Sequence, residues 1–518
     1  MVRICAAVMA ALCIFLSSVA VAQDVTLQSR DGSIQLSGTL LGFDGQFYRI
    51  ETQYGELTVD GTGVNCDGIG CPSLTDFVAE LTVSGSATMG GVLMPALVEA
   101  FALREGLASS REALDGGAIR YTLAARDTGK PVGRFTFNNT STDEGFADLL
   151  ADDTDIVMAL REIRPREVAL AREAGLGDLT LANRSLVVAL DAIVPIVSPR
   201  NPVDAVSLND LARILAGDLT NWRELGGPDA PVVLHLRDRD SGVAQGLQDR
   251  LRRPIEAQLP DSAVRHTDNG SLARAVARDP FGIGMASFSE TGNTKALVLT
   301  GRCGFQLRAA RRTIKTEDYP LTAPLFLYLP ARRLPALGRD FMAFAASETA
   351  QIVIRRAGFV DQASEEVPID LQGDRIANAI QVAEPEQGLA ELQRLVTTLR
   401  DWRRLTTSFR FEPGSARLDA QSRSNVRALA RAFEEGVYDG RSLTFVGFSD
   451  GEGPAAANQE IARKRADAVR LAVIEAAETA DLNRIEILTE AFGEAMPMAC
   501  DDTEWGRQVN RRVEVWVR

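Results

Sequence analysis

Hydrophobic and polar positions change their period along the chain, and each change marks a different kind of element. After an apolar run from Ile4 to Val21, residues 24–75 alternate in short bursts such as Ser33-Ile-Gln-Leu-Ser-Gly-Thr-Leu40 and Glu56-Leu-Thr-Val59. Asp31-Gly32, Asp44-Gly45 and Tyr54-Gly55 separate the bursts. Period-two alternation punctuated by such turns predicts a small meander of β-hairpins over 23–76, best read as a packing module on a larger domain. From Leu81 to about residue 362 the repeating unit is strand, Gly/Ser turn, helix, which predicts an α/β domain over 77–362. Residues 363–404 turn charged and helical, with Leu389, Leu392, Leu395, Val396 and Leu399 at three- and four-residue steps. That spacing predicts a linker ending in an amphipathic helix. In the last stretch, 405–518, an alternating strand Ser442-Leu-Thr-Phe-Val446 precedes a helical run containing Ile461, Val469 and Ala472.

Composition narrows the setting. Arg3, the apolar run and Ala20-Val-Ala22 ahead of Gln23 have the form of a secretory signal peptide over 1–22, so the mature chain is expected in the periplasm. The 518 residues suggest about three domains. With 56 Lys and Arg against 70 Asp and Glu, the net charge of −14 argues against nucleic acid or an anionic membrane as a bulk partner. Any anion must then be captured by a local site. Four cysteines follow the leader, and in an oxidising compartment Cys66 and Cys71 are spaced to close a small disulfide loop. Cys303 and Cys500 are either buried thiols or a pair. The only two histidines, His235 and His266, leave a zinc site without ligands, and no cofactor is implied.

Candidate chemistry gathers at two places. Leu81-Thr-Val-Ser-Gly-Ser-Ala-Thr-Met-Gly90 ahead of an amphipathic helix aims Ser86, Thr88 and backbone N–H groups at a helix N-terminus, a plausible oxyanion cradle, although plain helix capping gives the same pattern. Ser141 to Gly145, Asp155 to Arg161, Asn201-Pro-Val203, Asn221-Trp-Arg-Glu-Leu-Gly-Gly227, Arg237-Asp-Arg-Asp-Ser-Gly242 and Tyr319-Pro-Leu321 follow in order. This series resembles the type II periplasmic solute-binding proteins of the PstS phosphate-binding family. The resemblance implies two α/β lobes closing on phosphate or a related oxyanion, no enzymatic activity, and an ABC transporter membrane complex as a further partner. Position by position, it assigns the oxyanion to Ser86, Thr88, Ser141, Arg161, Arg237 and Ser241, with Asp155, Asp240 and Asp268 as candidate acceptors for a phosphate proton. The chain departs from the pattern at Leu160 and Val243, each replacing a hydroxyl, and at the acids Asp143 and Glu144. Neither Ser86 nor Ser241 has a histidine in a recognisable triad setting, so a hydrolase finds no catalytic residues.

The second place is Gly447-Phe-Ser-Asp-Gly-Glu-Gly453, then Asn458 to Ala466, then Gly506 to Glu514. This ordered trio resembles the OmpA-like peptidoglycan-binding family and implies an α+β domain. There Asp450 and Arg465, with Asn458, clamp the zwitterionic end of diaminopimelate in a peptidoglycan stem, one through its ammonium and the other through its carboxylate. Asn510 and Arg511 read as architectural, and Phe448-Ser449 stands where the family usually has His-Thr. The expected whole is therefore a multidomain receptor held at the outer-membrane side of the periplasm by its wall-binding domain. A wall-bound scaffold whose middle domain meets another solute or a protein is the alternative.

Overall fold

The computed structural model describes residues 24–73, 77–181, 183–238, 241, 259–383, 387–412, 415 and 417–518. The expected leader, and Asp240, Gly242 and Val243 of the second-lobe loop, lie outside the described residues.

The alternating N-terminal bursts fold as five antiparallel strands, Asp24–Ser29, Gln35–Phe43, Phe47–Thr52, Gly55–Asp60 and Val64–Asp67, with the first strand between the second and fifth. Their inward positions Val25, Leu27, Tyr48 and Ile50 make a small core, and Cys66 bonds Cys71. A core of this size needs support. The disulfide supplies part of it and the neighbouring domain the rest. Asp44, in the turn before Phe47, pairs with Arg333 at 3.0 Å and Arg339 at 3.3 Å. Arg333 also lies 4.2 Å over the Phe47 ring.

The middle of the chain builds one 11-stranded sheet that runs through two lobes. In the first, Ala79–Ser86 pairs in parallel with Pro131–Thr140 and Ile156–Ala159. In the second, Val233–Arg237 pairs in parallel with Val264–His266 and Gly282–Ser287. The 13-residue strand Ser185–Val197 crosses between them, pairing with Thr322–Tyr328 through its first half and with Gly282–Ser287 through its last residues. Its nearly unbroken burial fits an apolar run covered on both faces. Two sequence signals prove architectural. Asn221 caps the short helix Trp222–Leu225, and Trp222, fully buried, donates from Nε1 to the Phe281 carbonyl at 2.9 Å.

The C-terminal sheet has the order Glu366–Pro368, Arg403–Arg410, Arg512–Val517, Ser442–Gly447, Glu486–Ala491. Alternate residues Leu443, Phe445, Val513 and Val515 face helices Ala420–Glu434 and Ala455–Ala476. On the opposite face Val446, Phe448, Phe492 and Trp516 pack under helices Gly373–Val382 and Gln387–Leu399. Residues 363–404 therefore do not behave as a linker. Their first strand extends the C-terminal sheet, and Leu392, Leu395 and Leu399 are buried in its second core.

Lobes and C-terminal domain are joined by bonds that the sequence left open. Cys303 of the second lobe is disulfide-bonded to Cys500, 197 residues away. Beside it, buried Asp318 accepts from Arg404 at 2.9 Å and from Arg410 at 3.4 Å. Lys315 reaches Asp361 and Glu365, both at 2.8 Å. On the first-lobe side Arg423 pairs with Glu162 at 2.6 Å. Burial alone would raise the Asp318 carboxyl, but Arg404, Arg375 and Arg410 hold it far below the usual carboxylate range.

Candidate functional site

Every oxyanion candidate lies at or just beyond the C-terminal edge of a parallel strand, where open α/β sheets take their ligands. In the first lobe Ser86 ends its strand directly opposite Thr140. Gly85 precedes it at φ +131°, and a Cβ there would meet the Met158 carbonyl oxygen at 2.2 Å, so only glycine fits the turn. The Ser86 and Thr140 hydroxyls and the Asn139 side-chain oxygen are buried without a hydrogen-bond partner. Orphaned hydroxyls are costly, and these two stand side by side on adjacent strand ends. Thr88 is buried at the start of the helical run through Met89–Leu93 and Met94–Arg104 and caps nothing with its side chain. Ser141 is committed differently. It closes a reciprocal capping box with Glu144 at the N-terminus of Thr142–Leu150, accepting from Glu144 N at 3.2 Å.

Arg161 departs from the expected role. Its guanidinium is held by Asp143 and, at 2.6 Å, by Glu167, and it lies 5.2 Å over the Phe146 ring. A cation already matched by two carboxylates has little attraction left for a ligand anion. The acid at position 143, which looked out of place beside an anion site, is one of the two that neutralise Arg161.

Arg237 presents the opposite situation. It is 6% exposed, and among the described residues its nitrogens donate only to neutral oxygens: Nε to His266 O at 3.3 Å, Nη2 to Thr267 O at 2.8 Å and Nη1 to Asn269 Oδ1 at 2.6 Å. Among the described residues no carboxylate lies within ion-pair distance of it. Burial lowers its pKa, opposed by the more distant Asp238, Asp268 and Glu290. Ser241 is buried nearby in sequence, its amide donating to Asp238 O at 3.0 Å. Two of the candidate proton acceptors have structural work instead. Asp155 accepts from Thr82 N at 2.8 Å and pairs with Arg332 at 3.2 Å. Asp268 caps helix Asn269–Arg278 through Ser271 N at 2.7 Å.

The C-terminal pocket forms around the loop after Ser442–Gly447. That strand can approach the helix Ala455–Ala476 because residue 447 is glycine; a Cβ would sit 1.9 Å from Ala462 O. Arg465, on the helix, is half-buried 5.4 Å over the Phe411 ring, with Nη1 lacking a partner. Burial and Arg511 lower its pKa while Asp450 raises it, so the two clamp candidates do share one electrostatic field. Asn458 donates to Glu494 at 2.8 Å and braces the pocket wall. Arg511 is not merely architectural: it pairs with Asp450 at 2.9 Å and with Glu504 at 2.6 Å. Asn510 is the architectural residue, fully buried and bonded to Met498 N, Ala499 N and Ala499 O.

The residues that sequence reasoning missed are Asn139, Thr140, Asn269 and Arg511. Arg511 lay inside the motif already singled out, whereas Thr140 gains meaning only from the strand register that sets it beside Ser86.

Known proteins resemble the chain in two separate parts. A PBP superfamily domain model matches residues 104–349 and an OmpA family model matches residues 410–511. Protein SphX of Synechococcus elongatus is 27% identical over 239 residues, covering 43% of this chain and 68% of that protein. Phosphate-binding protein PstS of Borreliella burgdorferi is 24% identical over 252 residues, 48% of this chain and 85% of that protein. Among solved structures, a putative phosphate ABC transporter substrate-binding protein with bound phosphate from Clostridium perfringens aligns over 54% of this chain and 99% of its own, at 23% identity and a TM-score of 0.42. The chain is thus similar to PstS proteins and the PBP superfamily over its middle part and to the OmpA family over its C-terminal part.

Proposed function

We propose that the chain is a non-catalytic receptor of the bacterial periplasm that captures phosphate or a related oxyanion in its middle domain and grips peptidoglycan through its C-terminal domain. The observation that carries the anion reading is Arg237, a buried cation served, among the described residues, only by neutral oxygens. A tetrahedral oxyanion would supply the missing countercharge, and its acceptors would satisfy the Ser86 and Thr140 hydroxyls. Titration of the purified protein by calorimetry with phosphate, sulfate, molybdate and a neutral sugar tests it. Heat is expected with at least one anion and none with the sugar, and Arg237→Ala is expected to weaken binding by at least about 30-fold. Equal heats for Arg237→Ala and the parent protein would remove Arg237 from the site.

For the wall, the ammonium of a diaminopimelate end would take Asp450 from Arg511, and the free carboxylate would take Arg465 and the released Arg511. Two modules on one chain would then hold anion capture close to the peptidoglycan. Asp450→Ala and Arg465→Ala are each expected to leave the protein in the supernatant when sacculi are sedimented. Retention of both variants on the sacculi would refute the clamp. The neutralised Arg161 is the observation that favours a second reading, in which the first lobe meets a less charged solute or a protein; a calorimetric response to the neutral sugar alone would support it.

A further inference from the structure

The chain has two histidines, and the fold sets them against each other directly behind Arg237. His235 and His266 occupy adjacent parallel strands, with His266 opposite Arg237 in the register. His235 Nδ1 and His266 Nε2 are 3.0 Å apart, and His235 Nε2 faces Asp279 Oδ2 at 3.3 Å. Gly282 makes room for this arrangement, since a Cβ there would stand 3.1 Å from His235 Nε2. His235 donating to Asp279 leaves its Nδ1 as the acceptor of the His266 N–H, so the pair is complete with both rings neutral.

We propose that His235 and His266 form a positioning pair that sets Arg237 for anion capture and releases it when both rings are protonated. The inference rests on the reading of Arg237 as an anion ligand. Two imidazolium rings have four N–H groups and no acceptor, so the doubly protonated pair cannot keep its mutual hydrogen bond. Among the described residues the strand Val264–His266 is the outermost of the sheet and pairs on one side only. The residues that follow it carry the Arg237 acceptors: His266 O, Thr267 O and Asn269 Oδ1. Loosening this edge therefore withdraws the oxygens that aim the guanidinium. The charged groups acting on the pair among the described residues are Asp238, Asp268 and Asp279 on one side of the balance and Arg237 on the other. Burial and the neighbouring His235 ring lower the His266 pKa, with Asp238 and Asp268 opposing them. Uptake of the second proton thus belongs to the acid side of the ordinary histidine range, where anion affinity is lost as pH falls.

The test compares full-length protein with His266→Gln, whose amide can still donate to His235 Nδ1 but cannot gain a charge. Phosphate affinity of each is measured from about pH 7.5 to about pH 4.5, and the ratio of the two at each pH removes the titration of phosphate itself. The parent is expected to lose at least about tenfold relative to His266→Gln across this window. With two histidines, ring proton resonances report the titration independently of any ligand, and one ring is expected to titrate below the usual range. Parallel affinity curves, or two rings titrating independently at ordinary values, would overturn the pair. If phosphate and sulfate bind neither protein at any pH while the rings titrate as expected, the anion reading falls and takes this inference with it.

Discussion

Replacing Glu514 with glutamine is expected to destabilise the C-terminal domain by about 3–5 kcal/mol, the cost of leaving buried cations without their counterion. Glu514 is fully buried in the last strand. Its oxygens accept from Arg512 Nε at 2.8 Å, Trp516 Nε1 at 3.1 Å and from Arg375, and Arg404 Nε stands 3.2 Å away as an ion pair. Among the described residues the only other acid in this group is Asp318, already shared between Arg404 and Arg410. A neutral amide could keep one or two of the hydrogen bonds but would leave Arg375, Arg404 and Arg512 facing one carboxylate. Burial would raise the Glu514 carboxyl, yet Arg375, Arg404 and Arg512 pull it down to about 2. A folded-state pKa below the unfolded value means the unfolded chain binds more protons in the interval between the two. The stabilisation is therefore present in full above the ordinary glutamate range near pH 4.5 and is lost as pH falls towards 2. Denaturant unfolding of Glu514→Gln should show both the lower stability at neutral pH and a shallower loss in acid. A variant as stable as the parent, with the same acid slope, would mean that the cluster is not held by this carboxylate.

How much of this was legible in sequence follows from how local each signal is. Asp450, Asn458 and Arg465 belong to one loop and the helix after it, so their order and spacing carry most of their geometry. Ser86 and Gly85 were legible in the same way, as a strand end followed by a helix. Arg161 was legible as an arginine at a strand end but not as a neutralised one. Its partners Asp143 and Glu167 sit on either side of it in sequence and reach it only once the helices Thr142–Leu150 and Pro165–Glu173 are placed. The same holds for Thr140, which needs the register of two strands, and for the histidine pair, 31 residues apart and joined by strand pairing. Residues 363–404 misled because charge and helical spacing describe both an exposed connector and a helix whose apolar stripe is covered. Leu392, Leu395 and Leu399 satisfy either reading until Trp402 and Trp516 are seen beneath them.

The double substitution Cys303→Ser, Cys500→Ser should cost about 5 kcal/mol, because a cross-link closing 197 residues removes a large share of the unfolded chain's freedom. The bond is also the covalent tie between the second lobe and the loop beside Asp450. Cys500 stands beside Asp501, whose carboxylate accepts from Gly451 N at 2.8 Å, one residue from Asp450. Its backbone neighbour Ala499 is fixed by Asn510. The turn on the other side is equally close, since a Cβ at Gly301 would meet Cys500 Sγ at 2.2 Å. Other contacts across the boundary, Lys315 with Glu365, Arg404 with Asp318 and Arg423 with Glu162, do not depend on the disulfide. The serine variant should therefore keep its folded modules yet unfold at lower denaturant, and Asp318→Asn in the same background should separate the modules further. Because Asp318 and Cys303 brace one junction, the two losses should be non-additive. Hydrogen exchange across residues 301–305 and 494–503 should rise in the serine variant while the helix Ala455–Ala476 stays protected. An unfolding midpoint unchanged by the substitution or by a reductant would show that the charged contacts alone hold the second lobe to the C-terminal domain.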